Sequence, residues 1–223
     1  MGSERGSSYL EVLGYGGSRV GVIVAAAELG LCHASNVGSY QALRTGGATT
    51  ARMMVPCPWA REAAVLYRGE DIGVSLTLNC EHSVYRWGPI TPSPSLLDGD
   101  GGMPREVDDL WDHADPEEVG RECRAQLERA VHWGVGVTHL GCHRQAMVMR
   151  PELFSILVEL ASEFRLPLSL PAAEAERIAG FAFRQVAEDA GLVFPDHCVE
   201  VTGSDQFEAA LFDLRPGITE LVL

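Results

Sequence analysis

ATTARMMV at residues 48–55, WAREAAVLY at residues 59–67 and IGVSLTL at residues 72–78 together decide the fold of this chain. The first and third segments are short apolar runs of the length of a buried strand, whereas the middle segment has the apolar spacing of a helix. A strand, a helix and a second strand in this order are typical of a parallel βαβ unit. The sequence therefore predicts an α/β fold built on a parallel sheet.

The same alternation continues in both directions along the chain. The predicted strands are Arg19–Val24, Ala48–Val55, Ile72–Leu78, Val135–Leu140, Leu166–Leu170, Val199–Thr202 and Thr219–Leu223. The predicted helices are Ser35–Arg44, Trp59–Tyr67, Pro116–Trp133, Pro151–Phe164, Ala173–Ala190 and Asp205–Leu214. Six or seven such repeats favour a barrel over a doubly wound sheet, partly because no GxGxxG motif opens a helix after the first strand. We therefore expect a distorted TIM-like (β/α) barrel.

The length of 223 residues fits one domain over residues 1–223, with an N-terminal extension at residues 1–18. Residues 80–115 contain Pro89, Pro92, Pro94 and the glycine-rich run DGDGG at residues 98–102. This segment is too long for an ordinary connection, which predicts a functional loop or lid. A solvated surface insertion is the alternative interpretation.

The charge and composition of the chain exclude several classes of function. The net charge of −14 repels phosphate backbones and anionic lipid headgroups, so neither nucleic acid nor a membrane is an expected partner. No apolar run approaches the ~20 residues of a membrane span, and residues 1–8 lack an apolar signal core, which predicts a cytoplasmic protein. The absence of lysine excludes Schiff-base enzymes and P-loop nucleotidases. The six cysteines include no CxxC pair, so reduced thiols are expected.

Short motifs mark the ends of the predicted strands, where the chemistry of a barrel is located. They are VAAAELGLCH at residues 24–33, VPCPW at 55–59, GVSLTLN at 73–79, YRWGP at 85–89 and THLGCH at 138–143. In this order they resemble the YdjC/ChbG carbohydrate deacetylases, particularly the branch with a YRWGP loop. The similarity runs from about residue 20 to residue 223.

The resemblance implies a distorted TIM-like barrel that holds one divalent metal ion. In the family, two adjacent aspartates after the first strand supply a general base and a metal ligand, and histidines on later strands supply the other ligands. The reaction is hydrolysis of an acetamide on a sugar. The metal polarises the carbonyl group while a base takes a proton from the attacking water.

This sequence departs from the family pattern after the first and third strands. Ala27 stands at the general-base position and has no proton acceptor. Glu28 stands at the neighbouring ligand position, and Ser75 replaces the histidine of the third strand. Serine is a poor ligand for a zinc-like ion.

The later motifs depart as well. Gly141 and Cys142 replace the first two residues of an Asp-Ser-His triplet, of which only His143 is retained. Family members continue past the position of Leu223 into a His-Pro motif, so the acid that this motif supplies is expected to be missing here. Together the substitutions predict that metal-dependent deacetylation has been lost.

Two surviving residues, Glu28 and His143, are the candidate catalytic pair. In the family their positions converge on one ion, and a partly buried carboxylate beside an imidazole tends to have shifted proton affinities. A structural ion pair is the alternative interpretation. Cys142 is expected on the opposite face of the strand from His143, as a buried and inert thiol.

The candidate substrate-binding residues are further polar and aromatic groups expected at the mouth of the barrel. They are Arg52, Ser75, Asn79, Arg86, Trp87 and His139. No metal cofactor is expected. If a divalent ion such as Zn, Mg, Ni or Co is present, its expected ligands are Glu28, His143 and His82. Glu81 is another candidate to replace the lost ligand.

Three hypotheses for the function follow. In the first, the chain binds or transforms a small polar or glycosylated molecule without a metal, by cyclase, dehydratase or isomerase chemistry in bacterial specialised metabolism. In the second, a rearranged site holds a metal and the protein removes acetyl groups from an amino sugar. In the third, the chain is a non-catalytic binding or partner subunit. A homo-oligomer is compatible with each hypothesis.

Overall fold

The computed structural model describes residues 9–223. They form one six-stranded sheet in which neighbouring strands pair in parallel. The strands are β1 (Val20–Leu29), β2 (Thr50–Met53), β3 (Ile72–Leu76), β4 (Val137–Cys142), β5 (His197–Glu200) and β6 (Gly217–Val222). The predicted α/β class with a parallel sheet is confirmed.

Helices separate the strands along the chain. The α-helices are α1 (Tyr9–Val12), α2 (His33–Thr45), α3 (Ala60–Leu66), α4 (Val107–His113), α5 (Pro116–His132), α6 (Pro151–Phe164), α7 (Glu176–Ala179), α8 (Phe183–Asp189) and α9 (Ser204–Phe212). Within residues 9–223, no helix combines the length and the apolar character that crossing a bilayer requires. Of the predicted N-terminal extension, residues 1–8 lie outside the described residues.

The strand order across the sheet is β4-β3-β2-β1-β6-β5. One isolated bridge, between Leu140 and Leu168, extends the sheet past β4. Within the part of the chain that the structure describes, the end strands β4 and β5 do not pair with each other. The sheet is therefore an open, curled half of a barrel, whereas the sequence predicted a TIM-like barrel.

Two predicted elements differ from the structure for local reasons. The predicted strand Leu166–Leu170 contributes only the bridge at Leu168, since Pro167 inside it has no N–H to donate to a neighbouring strand. The predicted helix Ala173–Ala190 is broken at Gly180, whose φ of 78° places it in the left-handed conformation that ends helices. Neither difference changes the order of the strands in the sheet.

The long segment at residues 80–115 is hydrogen-bonded to helix α5. The buried carboxylate of Glu122 accepts hydrogen bonds of 2.5–3.0 Å from the N–H groups of Ile90 and Thr91 and from the Thr91 hydroxyl. One turn earlier, Glu118 accepts bonds from the N–H and hydroxyl of Ser95. The helix therefore fixes the position of this part of the segment.

We expect the substitution Glu122→Ala to lower the free energy of unfolding by about 2–4 kcal/mol, because three partly buried donors of the segment and the buried amide of Gln126 lose their acceptor. Chemical denaturation measures the change. The control is Glu128→Ala on the same helix, where the side chain is 59% exposed and the expected change is below about 0.5 kcal/mol. A Glu122→Ala protein as stable as the wild type would contradict this account of the segment.

Candidate active site

A cleft of about 340 Å³ opens at the carboxyl ends of the strands. Because parallel strands end at the same edge of a sheet, residues that are distant in sequence meet there. The polar residues that line it are Glu28, Arg52, Ser75, Glu81, Cys142, His143, Arg144, Gln145, Ser169, Cys198, Glu200 and Thr202. A larger groove of about 840 Å³ beside β5 and α9 contains none of the predicted site residues.

A histidine and a carboxylate form a close pair in this cleft. The Nε2 atom of His143 lies 3.0 Å from Oε2 and 3.2 Å from Oε1 of Glu81, and both side chains are largely buried. Burial acts to raise the pKa of Glu81, but the hydrogen bond and the charge of His143 outweigh it and lower that pKa to about 2. Glu81 is therefore a carboxylate at neutral and mildly acidic pH.

The backbone after β4 turns sharply at His143. The strand ends at Cys142, and Arg144 and Gln145 then adopt positive φ angles of 50° and 56°. Residues other than glycine rarely adopt this left-handed backbone conformation, and its cost is of order 1–3 kcal/mol for each residue. Such strain is common at functional sites. In this protein the two residues with positive φ angles directly follow His143, which pairs with Glu81.

Three more of the predicted site residues line the cleft together with His143. Glu28 is exposed at the end of β1, and Ser75 on β3 is paired in register with Gly141 on β4. Arg52, at the end of β2, is buried and donates a hydrogen bond from Nη1 to the hydroxyl of Ser169. The structure thus brings Glu28, Arg52, Ser75 and His143 to one place.

Cys142 also lines the cleft, as a half-buried free thiol. Burial raises its pKa, which keeps the sulfur protonated at neutral pH. A thiolate nucleophile is therefore not available at this position.

The structure places Asn79, Arg86 and Trp87 in the support of the 80–115 segment. The indole Nε1 of Trp87 donates to the backbone carbonyl of Asn79. Arg86 donates to the carbonyls of Cys80, His82 and Met103 and forms an ion pair with Asp98. None of these three predicted substrate-binding residues lines the cleft.

His82, the third predicted metal ligand, is exposed and lies edge-on against the rings of Tyr85 and Trp87. Its neighbour Glu81 is the residue that turns into the cleft. From the sequence the two residues are equivalent, since both follow β3 in the same loop. Only the conformation of the loop decides which one meets His143.

His139 lies at the other end of the sheet, in a separate pocket of about 390 Å³ with Asp71 and Thr138. His143 is four positions further along the chain, just past the end of β4, which corresponds to about 13 Å of strand. Burial lowers the pKa of His139, and the positive charge of Arg52 lowers it further. A neutral imidazole therefore fills this position.

Sequence reasoning missed two residues that hold Arg52: Ser169, which lines the cleft, and Glu220, which lines the neighbouring pocket of His139. Ser169 donates a 2.6 Å hydrogen bond to Glu220, whose Oε1 lies 3.7 Å from Nη1 of Arg52. One signal was available: Arg52 and Glu220 are charged residues inside otherwise apolar strands. A charge at such a position requires a buried partner.

The described residues do not fit the three-ligand metal site that the family resemblance implies. Residues 9–223 contain no group of three His, Cys, Asp or Glu side chains arranged to hold a metal ion. In addition, Nη1 of Arg52 lies 2.8 Å from the point where a side chain on Gly141 would begin, so a guanidinium occupies that space. We therefore derive no catalytic step through a metal.

The family model described as YdjC-like protein matches residues 21–223. The chain belongs to the YdjC-like family. A carbohydrate deacetylase from Thermus thermophilus is 42% identical over 162 residues, which cover 73% of this chain and 57% of the relative. A carbohydrate deacetylase from Brevibacillus brevis is 35% identical over 67% of this chain and 59% of its own length.

A chitooligosaccharide deacetylase from Yersinia pestis is 30% identical over 70% of this YdjC-like chain and 61% of its own length. The chain thus matches about three fifths of the length of these curated relatives. A solved structure from Enterococcus faecalis, described as a candidate cellobiose-phosphate cleavage protein, superposes with a TM-score of 0.77. That match covers 92% of this chain and 80% of the other at 22% identity, and it shows a shared fold.

These comparisons correct the leading expectation from the sequence. The substitutions at Ala27, Ser75 and Gly141 predicted that deacetylation had been lost, but relatives up to 42% identical are named carbohydrate deacetylases. The prediction was wrong because it took the replaced positions together as loss of the whole reaction. It named Glu81 only as a candidate replacement for a metal ligand, whereas the Glu81 carboxylate pairs with the retained His143.

Proposed function

We propose that this protein removes acetyl groups from an N-acetylated carbohydrate. The observation that carries the proposal is the His143–Glu81 pair, which faces a cleft at the carboxyl ends of the strands together with Glu28. Relatives named carbohydrate deacetylases support it. The hypotheses of a metal-free cyclase, dehydratase or isomerase and of a non-catalytic subunit are not taken further.

The chemistry requires a base for water and an acid for the departing amine. His143 uses Nε2 to bond Glu81, while its Nδ1 has no hydrogen bond to any of residues 9–223 and is not among their buried unpaired atoms. Nδ1 is therefore open to accept a proton from water. Glu81 orients the ring and stabilises its charged form, as the third member of a catalytic triad does for its histidine.

The size and lining of the cleft suit a small carbohydrate. Its volume of about 340 Å³ lies at the lower end of the usual range for ligand sites. The carboxylate of Glu28, and the oxygen of Glu200 that does not accept from Gln145, can accept hydrogen bonds from sugar hydroxyls. The chitooligosaccharide deacetylase among the relatives suggests N,N′-diacetylchitobiose as the first compound to test. Self-association and a cytoplasmic location stay predictions.

The test is acetate release from N,N′-diacetylchitobiose, N-acetylglucosamine and an O-acetylated sugar, each with and without added divalent metal. We expect release from at least one N-acetylated compound, and we expect the surface variant His113→Ala, 68% exposed, to retain it. No acetate from any compound by a folded protein, under either metal condition, would refute the proposed function.

A further inference from the structure

Arg52 occupies the floor of the cleft, and the mechanism above leaves it without a role. It lies at the end of β2, only 7% exposed, and lines the same cleft as Glu28 and His143. A buried guanidinium is costly unless its charge is compensated and its donors are used. Its contacts therefore indicate what it is placed to do.

One edge of the guanidinium is held by the protein. Nη1 donates to the hydroxyl of Ser169, which donates in turn to Glu220 at 2.6 Å. Oε1 of Glu220 lies 3.7 Å from the same Nη1. These contacts, from a segment 117 residues away and from β6, orient the group and balance its charge.

Strand β4 has a glycine, Gly141, at the point where it faces this guanidinium. A Cβ atom on Gly141 would lie 2.8 Å from Nη1 and 3.1 Å from Cδ of Arg52, so any larger residue there would require the Arg52 side chain to shift. Gly141 lies on β4, and His143 follows two residues later, directly after the end of the strand. The guanidinium therefore lies beside the last part of β4, which leads to His143.

The other edge of the guanidinium is open. Nη2 makes no hydrogen bond to any residue that the structure describes, and it is not among the buried atoms without a partner, although Nε is. Since Arg52 lines the cleft, Nη2 is a donor that a bound molecule can reach.

The charges around the cleft indicate which acceptor suits this donor. Glu28, Glu81 and Glu200 line it, and Arg144 is the one other arginine among the described residues of its lining. Since Glu220 already compensates Arg52, the cleft keeps an excess of negative charge that repels a permanently anionic substrate. A neutral acetamide is not repelled. Its oxygen gains negative charge only when water adds, and a fixed donor then stabilises the transition state more than the substrate.

We infer that Arg52 is a catalytic residue that donates a hydrogen bond from Nη2 to the carbonyl oxygen of the acetyl group, an inference that rests on the proposed deacetylation. Water forms a bond to the carbonyl carbon and gives its proton to His143, while the carbonyl π electrons move to oxygen as an oxyanion beside Arg52. The C–N bond then breaks, nitrogen takes the electron pair and the proton from His143, and the C=O bond reforms. The products are acetic acid, which loses its proton to solvent to become acetate, and the free amine.

The test compares the wild type with Arg52→Lys, which keeps the charge beside Glu220 but loses the two-pronged geometry. We expect kcat for N,N′-diacetylchitobiose to fall by about 10²–10³-fold, with KM changed by less than about threefold. The phosphonamidate in which phosphorus replaces the acetyl carbon is an analogue of the tetrahedral oxyanion. The affinity of the variant for it should fall in parallel with kcat. Affinity for the chitobiose product should not change.

Ser169→Ala gives a second measurement, because it frees the held edge and keeps Arg52 itself. We expect a loss of about tenfold in kcat, with KM maintained. The matched control is Arg177→Lys, an exposed arginine outside the cleft, which should keep both constants. Circular dichroism establishes that each variant is folded.

The outcomes separate the two proposals. A wild type that releases no acetate overturns the deacetylase function and this role with it. An active wild type whose Arg52→Lys variant keeps kcat, or raises KM at constant kcat, overturns the role of Arg52 alone. A fall in kcat with unchanged affinity for the phosphonamidate also overturns it, because a group that stabilises the oxyanion must bind its analogue.

Discussion

Replacing His143 with alanine lowers kcat/KM for acetate release by about 10²–10⁴-fold, the range typical for loss of a general base. The reason is the geometry of the pair: Nε2 is committed to Glu81 at 3.0 Å, and the open Nδ1 is the imidazole atom left to exchange protons with water. No other histidine lines the cleft, so nothing of equal proton affinity replaces it among the described residues.

The measurement is steady-state kinetics with N,N′-diacetylchitobiose, and the matched control is His113→Ala. His113 is a histidine on the surface of α4 that contacts Asp109, so its loss removes a similar side chain without touching the cleft. If a folded His143→Ala protein keeps more than a tenth of the wild-type kcat/KM, proton transfer by His143 is refuted.

The substitution Glu220→Ala lowers the free energy of unfolding by about 3–5 kcal/mol. Glu220 is 2% exposed, and its carboxylate both accepts the hydrogen bond of Ser169 and compensates the charge of Arg52. Removing it leaves a guanidinium inside the sheet with no opposite charge, and an uncompensated buried charge is among the largest single sources of instability.

Chemical denaturation with a double substitution tests the cause. Arg52→Met combined with Glu220→Ala removes both charges, and we expect it to recover at least about 2 kcal/mol relative to Glu220→Ala alone. Asp213→Ala, at a carboxylate that is 82% exposed, is the control and should leave stability unchanged within about 0.5 kcal/mol. A double variant no more stable than Glu220→Ala would mean that the buried charge is not the source of the loss.

Sequence patterns predicted the bounds of a helix where neighbouring residues alone decide them. The helix Pro151–Phe164 begins and ends where the sequence predicted, because a proline favours the first helical position and an apolar stripe runs to the last. The predicted helix Ala173–Ala190 carried a similar apolar pattern but failed at Gly180, a residue that favours the left-handed conformation. The pattern of apolar residues was given more weight than the glycine.

The candidate site likewise contains residues that the sequence predicted and residues that it did not. Because the carboxyl ends of parallel strands meet at one edge, the alternation of strands and helices predicted that residues at the strand ends lie near one another. The family resemblance then singled out Glu28 and His143, which line one cleft with Ser75. Arg86 and Trp87, in the 80–115 segment, were also expected at the mouth of the barrel, but their side chains bond to the backbone of Cys80 and Asn79 and do not line the cleft. That segment follows β3, but its course depends on buried contacts with α5.

The sequence by itself determined the parallel α/β fold and the strand ends that form the cleft, since both follow from the periodicity of neighbouring residues. Only the tertiary structure decided that Glu81 pairs with His143 and that Ser169 and Glu220 hold Arg52. These contacts join residues 62, 117 and 51 positions apart. Pairings at such separations depend on how the sheet curls and how loops close over it, and no local pattern of residues encodes either.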